Sequence, residues 1–206
     1  LFTNHCANDY GLSVNPKTGK RFMNEHAGRK VKSDAIFACM AQSDKNDNYP
    51  VNICDQAAVD ANNIAYTKKG VEEGSIKKFN TLEELAKAYN IPLEPFLETI
   101  KNFNEYVKNE KNPEFGKPLT KADVNGIGIT KAPFYASETT PKILYCMGGV
   151  EINTKAQVIN ATTHEPIAGL YAAGEITGGV HGASRLGSVA ITDCLTFGMI
   201  AAETIG

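Results

Sequence analysis

The run from Gly169 to Gly187 constrains the fold more than any other stretch of the 206 residues. It reads Gly169-Leu-Tyr-Ala-Ala-Gly174, then Glu175-Ile-Thr-Gly178, then Gly179-Val-His-Gly-Ala-Ser-Arg-Leu-Gly187. The first six residues predict a buried strand, with small side chains at its end that admit a second backbone or a flat ligand. Glycines between Gly178 and Gly187 allow the positive φ that a wrapping loop needs. The apolar-rich segment from about Ser188 to Glu203 predicts a helix. Its free amides and positive dipole end face whatever the loop encloses. Two readings of the glycines stay open: tight packing of helix on sheet, or a cradle for a ligand.

The remaining patterns are local. Pro16 and Gly19 between two short apolar runs predict a hairpin over Gly11 to Met23. Val31, Ala35, Ile36, Cys39 and Met40 predict an amphipathic helix over Val31 to Gln42. Val51 to Cys54 reads as a strand and Gln56 to Lys69 as a helix. Thr81-Leu-Glu-Glu84 is a capping-box signal for a helix reaching Tyr89. Pro95 fits the first turn of another helix, which carries Phe96, Ile100, Phe103 and Val107 on one face. After about Phe134 the glycines concentrate and lysine thins to Lys142 and Lys155. This shift predicts a boundary between 1–133 and 134–206. The second part reads as a strand at Met147 to Asn153, a hairpin through Lys155 to Val158-Ile159, and a turn at Thr162 to Pro166.

Composition excludes several classes. A net charge of -2 with no basic run argues against a nucleic-acid partner. No stretch approaches the roughly 18 apolar residues of a membrane segment. Five cysteines at irregular spacings, with no C-x-x-C, form neither a disulfide framework nor a zinc or haem-attachment motif; they read as small buried hydrophobes. No metal site is expected. Among 21 basic residues only Arg21, Arg29 and Arg185 are arginines. A bidentate clamp for a carboxylate is arginine chemistry, so it has three candidates.

The segment around Ala173-Gly174-Glu175, His181-Gly182-Ala183 and Arg185-Leu186-Gly187 resembles the C-terminal flavin motif of the fumarate reductase and succinate dehydrogenase flavoproteins. It is similar to the flavocytochrome c fumarate reductases and the urocanate reductases within that family. Met147-Gly148-Gly149-Val150, Arg21-Phe22-Met23-Asn24-Glu25 and Thr81-Leu-Glu-Glu-Leu85 extend the likeness over nearly the whole chain. The resemblance implies an α/β fold: most of a capping domain (α+β) in 1–133, and the C-terminal portion of a Rossmann-like FAD-binding domain in 134–206. It also implies non-covalent FAD, contacted by Tyr145, Gly148, Gly149, Gly174, Glu175, His181, Ser188, Ala190 and Ile191. The helix start at Ser188 to Ile191 would stabilise negative charge at the edge of a reduced flavin. The G-x-G-x-x-G unit that holds the pyrophosphate is missing from these residues. A longer polypeptide or a second chain is therefore expected to supply that unit.

In the family the arginine of the R-L-G motif binds a substrate carboxylate, and Arg185 matches it. Thr3 falls where the family has a substrate-binding threonine, and Ser188 and Leu144 are expected to bind substrate as well. Several family residues are replaced. The glutamate and arginine that follow the threonine in a proton pathway are Asn4 and Ala7. The proton-donating arginine of the cap falls among Ala57, Ala58 and Val59. The histidine that grips a second carboxylate is Leu144. Fumarate itself is therefore an unsuitable substrate, and an unsaturated monocarboxylate with an apolar tail suits Leu144. Tyr145 is the first candidate for the missing acid, with packing on the flavin as its other reading; His5 and Tyr10 follow. His181 is expected to hold loop or flavin geometry. His26 and His164 are expected in solvent.

The expected activity is hydride transfer from flavin N5 to the C=C bond of an α,β-unsaturated acid. The alternatives are a flavin-dependent ketone or steroid dehydrogenase, and a non-catalytic flavoprotein subunit in electron relay. Partners implied by the resemblance are the unsaturated acid and an electron-donor redox protein, with haem or FMN only on that donor or on a missing domain. A periplasmic location follows from the same resemblance, with a cytoplasmic one as alternative.

Overall fold

The computed structural model describes residues 8–61, 64–111, 114–118 and 128–206. They form two compact units, Leu1–Pro141 and Lys142–Gly206.

The first unit opens with a single helical turn, α1 (Asn8–Tyr10), and is built on a five-stranded antiparallel sheet. Its strands are β1 (Leu12–Asn15), β2 (Lys20–Arg21), β3 (Val51–Cys54), β4 (Lys77–Phe79) and β5 (Phe134–Glu138), in the order β2-β1-β3-β5-β4. The expected hairpin pairs Val14 with Arg21 and Asn15 with Lys20. Its turn needs glycine twice over. Gly19 has φ +70, and a Cβ there would lie 2.9 Å from the Phe96 amide nitrogen. Alternation sorts the strand side chains between two clusters. Leu12, Val14, Val51, Ile53, Phe134 and Ala136 join α6 (Leu93–Lys108) through Phe96, Ile100, Phe103 and Val107. Cys54 and Tyr135 join Ala58 and Val59 of α3 (Gln56–Ala61), with Val71 of α4 (Ile64–Glu72) against them. Fully burying each large apolar side chain contributes roughly 1.5–3 kcal/mol.

Caps fix the helices. Thr81 Oγ1 accepts from the Glu84 amide at 3.1 Å, opening α5 (Leu82–Ala88). Glu84 returns the bond one residue earlier than the motif implies, to the Asn80 amide at 2.9 Å. Buried Asp55 accepts from the Ala58 amide at the start of α3 and from the amides of Thr130 and Lys131. The expected α2 spans Arg29–Met40. Within the single helix expected over Gln56 to Lys69, α3 and α4 flank residues 62–63, which lie outside the described residues.

The shift in composition near Phe134 does not mark the unit boundary. Phe134–Glu138 is β5, paired with β3 on one side and β4 on the other. The compact units divide at 141/142, so β5, which follows the 133/134 division read from composition, falls in the first unit.

The second unit holds the hairpin β6 (Gln157–Ile159) and β7 (Pro166–Tyr171), a 3-10 turn at Gly174–Ile176, and α7 (Val189–Ile205). The strand expected at Met147 to Asn153 reduces to two bridges, Val150 to Thr177 and Ile152 to Val158. Consecutive glycines weaken a strand there. The buried strand expected at Gly169 to Gly174 is instead the exposed β7. It pairs with β6 alone among the described residues, so Ile167 and Leu170 keep exposed faces. Ile191, Leu195 and Met199 form an apolar exposed stripe at i, i+4, i+8 on α7. No helix of the described residues is long and apolar enough to cross a membrane.

One buried charge cluster ties the first unit together. Arg21 Nε and Nη2 grip the Glu25 carboxylate at 2.9 and 2.6 Å, with Lys117 Nζ at 3.6 Å. The Arg21 guanidinium lies 5.6 Å from the ring centres of both Phe103 and Phe115. Burial alone would raise the Glu25 carboxyl, but Lys117 and Arg21 outweigh it and hold the group below its ordinary value. Burial likewise pushes the Lys117 ammonium down to about 8. Glu25→Gln removes the carboxylate these cations share and is expected to destabilise the unit by about 3–5 kcal/mol. Urea denaturation of the intact protein measures it; a loss below about 1 kcal/mol, the range of exposed pairs, would show the cluster to be incidental.

Candidate functional site

The glycines of the second unit fall into two groups. Gly149 and Gly178 lie backbone to backbone. A Cβ on Gly178 would sit 2.6 Å from the Gly149 nitrogen, and one on Gly149 would strike Ile176 O. Gly174 has φ +78, and its Cβ would meet Cys194 Sγ at 2.7 Å. These three serve close packing. Gly148, Gly179 and Gly182 differ: a Cβ added to any of them meets nothing within 4 Å. Gly179 and Gly182 also have φ of +88 and +59. The loop thus presents a bare backbone surface to open space.

Local bonds hold this surface in shape. Glu175 Oε1 accepts from the Cys146 amide at 2.9 Å, pinning the segment before Gly148 to the 3-10 turn. Thr177 is buried, and both its amide and its Oγ1 donate to Gly174 O. Ser188 stands before α7 in the left-handed conformation, φ 68, without a side-chain bond to the helix amides. The first amides of α7, around Ala190 and Ile191, therefore keep their polarity for an external group.

Beside the glycines is a cluster of four side chains. Tyr145 Oη donates to Asp193 Oδ2 at 3.2 Å. His181 Nε2 lies 3.2 Å from the same oxygen. A carboxylate only accepts, so Nε2 carries the ring hydrogen in this arrangement. The Tyr145 and His181 rings meet edge to face at 5.6 Å. The Arg185 guanidinium lies over the Tyr145 ring, 4.4 Å from its centre. Such a contact contributes roughly 0.5–2 kcal/mol according to its exposure. Arg185 Nη1 donates to Leu186 O at 2.8 Å, while its buried Nε has no hydrogen-bond partner among the described residues. The same holds for Asp193 Oδ1. His181 and Asp193 also line a hollow of about 440 Å³ with Val180, Ser184, Leu186 and Phe197.

The structure brings Tyr145, His181 and Arg185 together, with Gly148 and Glu175 on the connected backbone. Leu144 is 71% exposed. Thr3 and His5 lie outside the described residues. Burial, with the Asp193 carboxylate accepting its bond, raises the Tyr145 phenol above its ordinary value. In the first unit Ala57, Ala58 and Val59 are core. His26 is exposed, as expected, and its Nδ1 lies 3.3 Å from Asp9 Oδ1. Asp193 was not among the expected site residues. Its signal is one acid in the apolar run Val189 to Ala202, where an unpaired carboxylate is costly.

Residues 1–191 match the FAD binding domain family. The chain is 42% identical over 194 residues to the acrylate reductase flavoprotein subunit of Shewanella woodyi, covering 94% of this chain and 37% of that protein. It is 38% identical over 192 residues to the NADH:acrylate oxidoreductase of Vibrio harveyi, covering 91% of this chain and 18% of that protein. The open conformation of a flavocytochrome c3 fumarate reductase superposes with a TM-score of 0.71 at 34% identity, over 99% of this chain and 34% of that one. The chain thus spans about a third or less of the length of these relatives.

The two glycine groups respond differently to one methyl. Gly178→Ala forces backbone apart and is expected to cost about 1–3 kcal/mol. Gly148→Ala meets open space and is expected to stay within about 0.5 kcal/mol. Denaturation midpoints of the two intact variants measure this; equal losses would refute the distinction.

Proposed function

The chain belongs to the FAD binding domain family, and from that premise we propose that the whole protein is an FAD-dependent reductase of α,β-unsaturated carboxylates, with a monocarboxylate such as acrylate preferred over fumarate. The observation that carries the reading is Arg185: a guanidinium stacked on Tyr145 beside an open glycine surface, with a buried Nε free to donate. That surface and the uncapped start of α7 fit a flat ring with an electron-rich edge. Gly148, Gly179 and Gly182 would let such a ring approach, and the amides near Ser188, Ala190 and Ile191 would face its polar edge.

When bound and reduced by the electron donor, FAD would supply the hydride for the β-carbon, and an acid on the cap side would supply the proton for the α-carbon. Arg185 holds the substrate carboxylate by charge-assisted bonds and orients the double bond. Exposed Leu144 offers an apolar wall where the family resemblance has a carboxylate-binding histidine. A second carboxylate there would lose its partner, whereas an apolar tail would not. Tyr145 serves Arg185 as a platform, its hydroxyl bound to Asp193. In this reading residues 1–141 belong to the capping domain and 142–206 close the FAD-binding domain. The G-x-G-x-x-G unit lies in the rest of the protein or on a second chain, and a redox protein delivers the electrons. A periplasmic location follows from the family resemblance.

Anaerobic spectroscopy of the intact flavoprotein tests the reading. Dithionite bleaches the flavin; acrylate is expected to restore its colour, and fumarate far more slowly. Arg185→Lys is expected to slow restoration about 10²–10³-fold, the scale for losing one transition-state donor. Leu144→His is expected to shift preference toward fumarate. If no unsaturated acid restores colour, the reading is wrong; if Arg185→Lys reoxidises at the original rate, a ketone dehydrogenase or an electron relay fits better.

A further inference from the structure

We propose that Asp193 is a positioning residue that sets the direction of the Arg185 guanidinium through Tyr145, without itself touching substrate. The proposal rests on the reading of Arg185 as the carboxylate grip. Arg185 sits in the glycine-rich loop, and its hydrogen bond to Leu186 O joins sequence neighbours, which cannot fix its aim relative to the rest of the unit. The contact that does so is the Tyr145 face, 4.4 Å away.

Tyr145 in turn precedes the open Gly148, and no regular strand holds its segment. Two interactions fix its ring: the hydroxyl bond to Asp193 Oδ2 and the edge contact with His181. His181 is bound to that same oxygen at 3.2 Å. One oxygen on the helix α7 therefore sets both rings, and through them the guanidinium. The Asp193 side chain is only 2% exposed.

Stability alone explains this carboxylate poorly. Its other oxygen, Oδ1, is buried without a partner among the described residues. A buried acceptor left unpaired is unfavourable, and an apolar side chain of similar volume would avoid the penalty. Aim is what such a residue provides. A bidentate carboxylate contact needs the fork of donors in one plane, and a displacement of about 1 Å at a reacting group can lose about 10²-fold in rate.

A double-mutant cycle on the intact flavoprotein tests the proposal, with propionate as a non-reacting probe. Binding is read from the perturbation of the oxidised flavin absorption band, which needs no turnover. Asp193→Ala is expected to weaken propionate binding about tenfold when Arg185 is present, and less than about twofold in the Arg185→Leu background, as for residues acting through one contact. A purely structural role would weaken both backgrounds equally, and that result, or no weakening at all, overturns the proposal. Asp193→Leu, of similar volume and without either bond, carries the same cycle where the alanine variant does not fold; additivity there overturns it too. If the unmutated protein binds no carboxylate, the functional reading itself fails, an outcome distinct from additivity.

Discussion

The bonds to Asp193 Oδ2 join three parts of the second unit at one atom. Tyr145 comes from an irregular segment, His181 from the glycine-rich loop, and Asp193 from α7. Both hydrogen bonds converge on one oxygen, and the Arg185 guanidinium rests on the ring they fix. Around this point the backbone is thin. Gly149 and Gly178 touch without side chains between them, and Gly174 gives way to Cys194. The unit thus combines a close-packed glycine seam with one polar anchor, and leaves Gly148, Gly179 and Gly182 facing open space.

Arginine is scarce in this chain, and the structure distributes it clearly. Arg21 is buried against Glu25 between two phenylalanine rings. Arg29 is exposed at the start of α2. Arg185 alone lies in the glycine-rich loop of the second unit; its Nε, like Arg21 Nη1, is buried without a hydrogen-bond partner among the described residues. The three candidates for a carboxylate clamp therefore reduce to one by placement. The cap-side arginine of the resembled family has no counterpart among Ala57, Ala58 and Val59, which are core.

Local signals were readable without coordinates where local physics decides. The Asn15 to Gly19 turn, the Thr81 cap and the apolar stripe of α6 follow from spacing and turn chemistry. Elements that depend on distant partners were not. β4 is the charged Lys77–Phe79, and β5 follows a change in composition that looked like a boundary; each forms by pairing with the other. Met147 to Asn153 reads as a strand but lacks a continuous partner, and β7 reads as buried but stays exposed. At the site, the glycine-rich loop, Arg185 and His181 were legible as motifs. Asp193 was hidden because its importance lies in two bonds across the unit. The loop's two kinds of glycine look alike in sequence and separate only when a Cβ is placed on each.

The most direct test of the central claim is a crystal structure of the intact flavoprotein with propionate bound. The account predicts the carboxylate gripped by two Arg185 donors at about 2.7–2.9 Å, the guanidinium still on the Tyr145 ring, and Asp193 still joining Tyr145 to His181. A carboxylate bound elsewhere, with Arg185 turned to solvent, would contradict it.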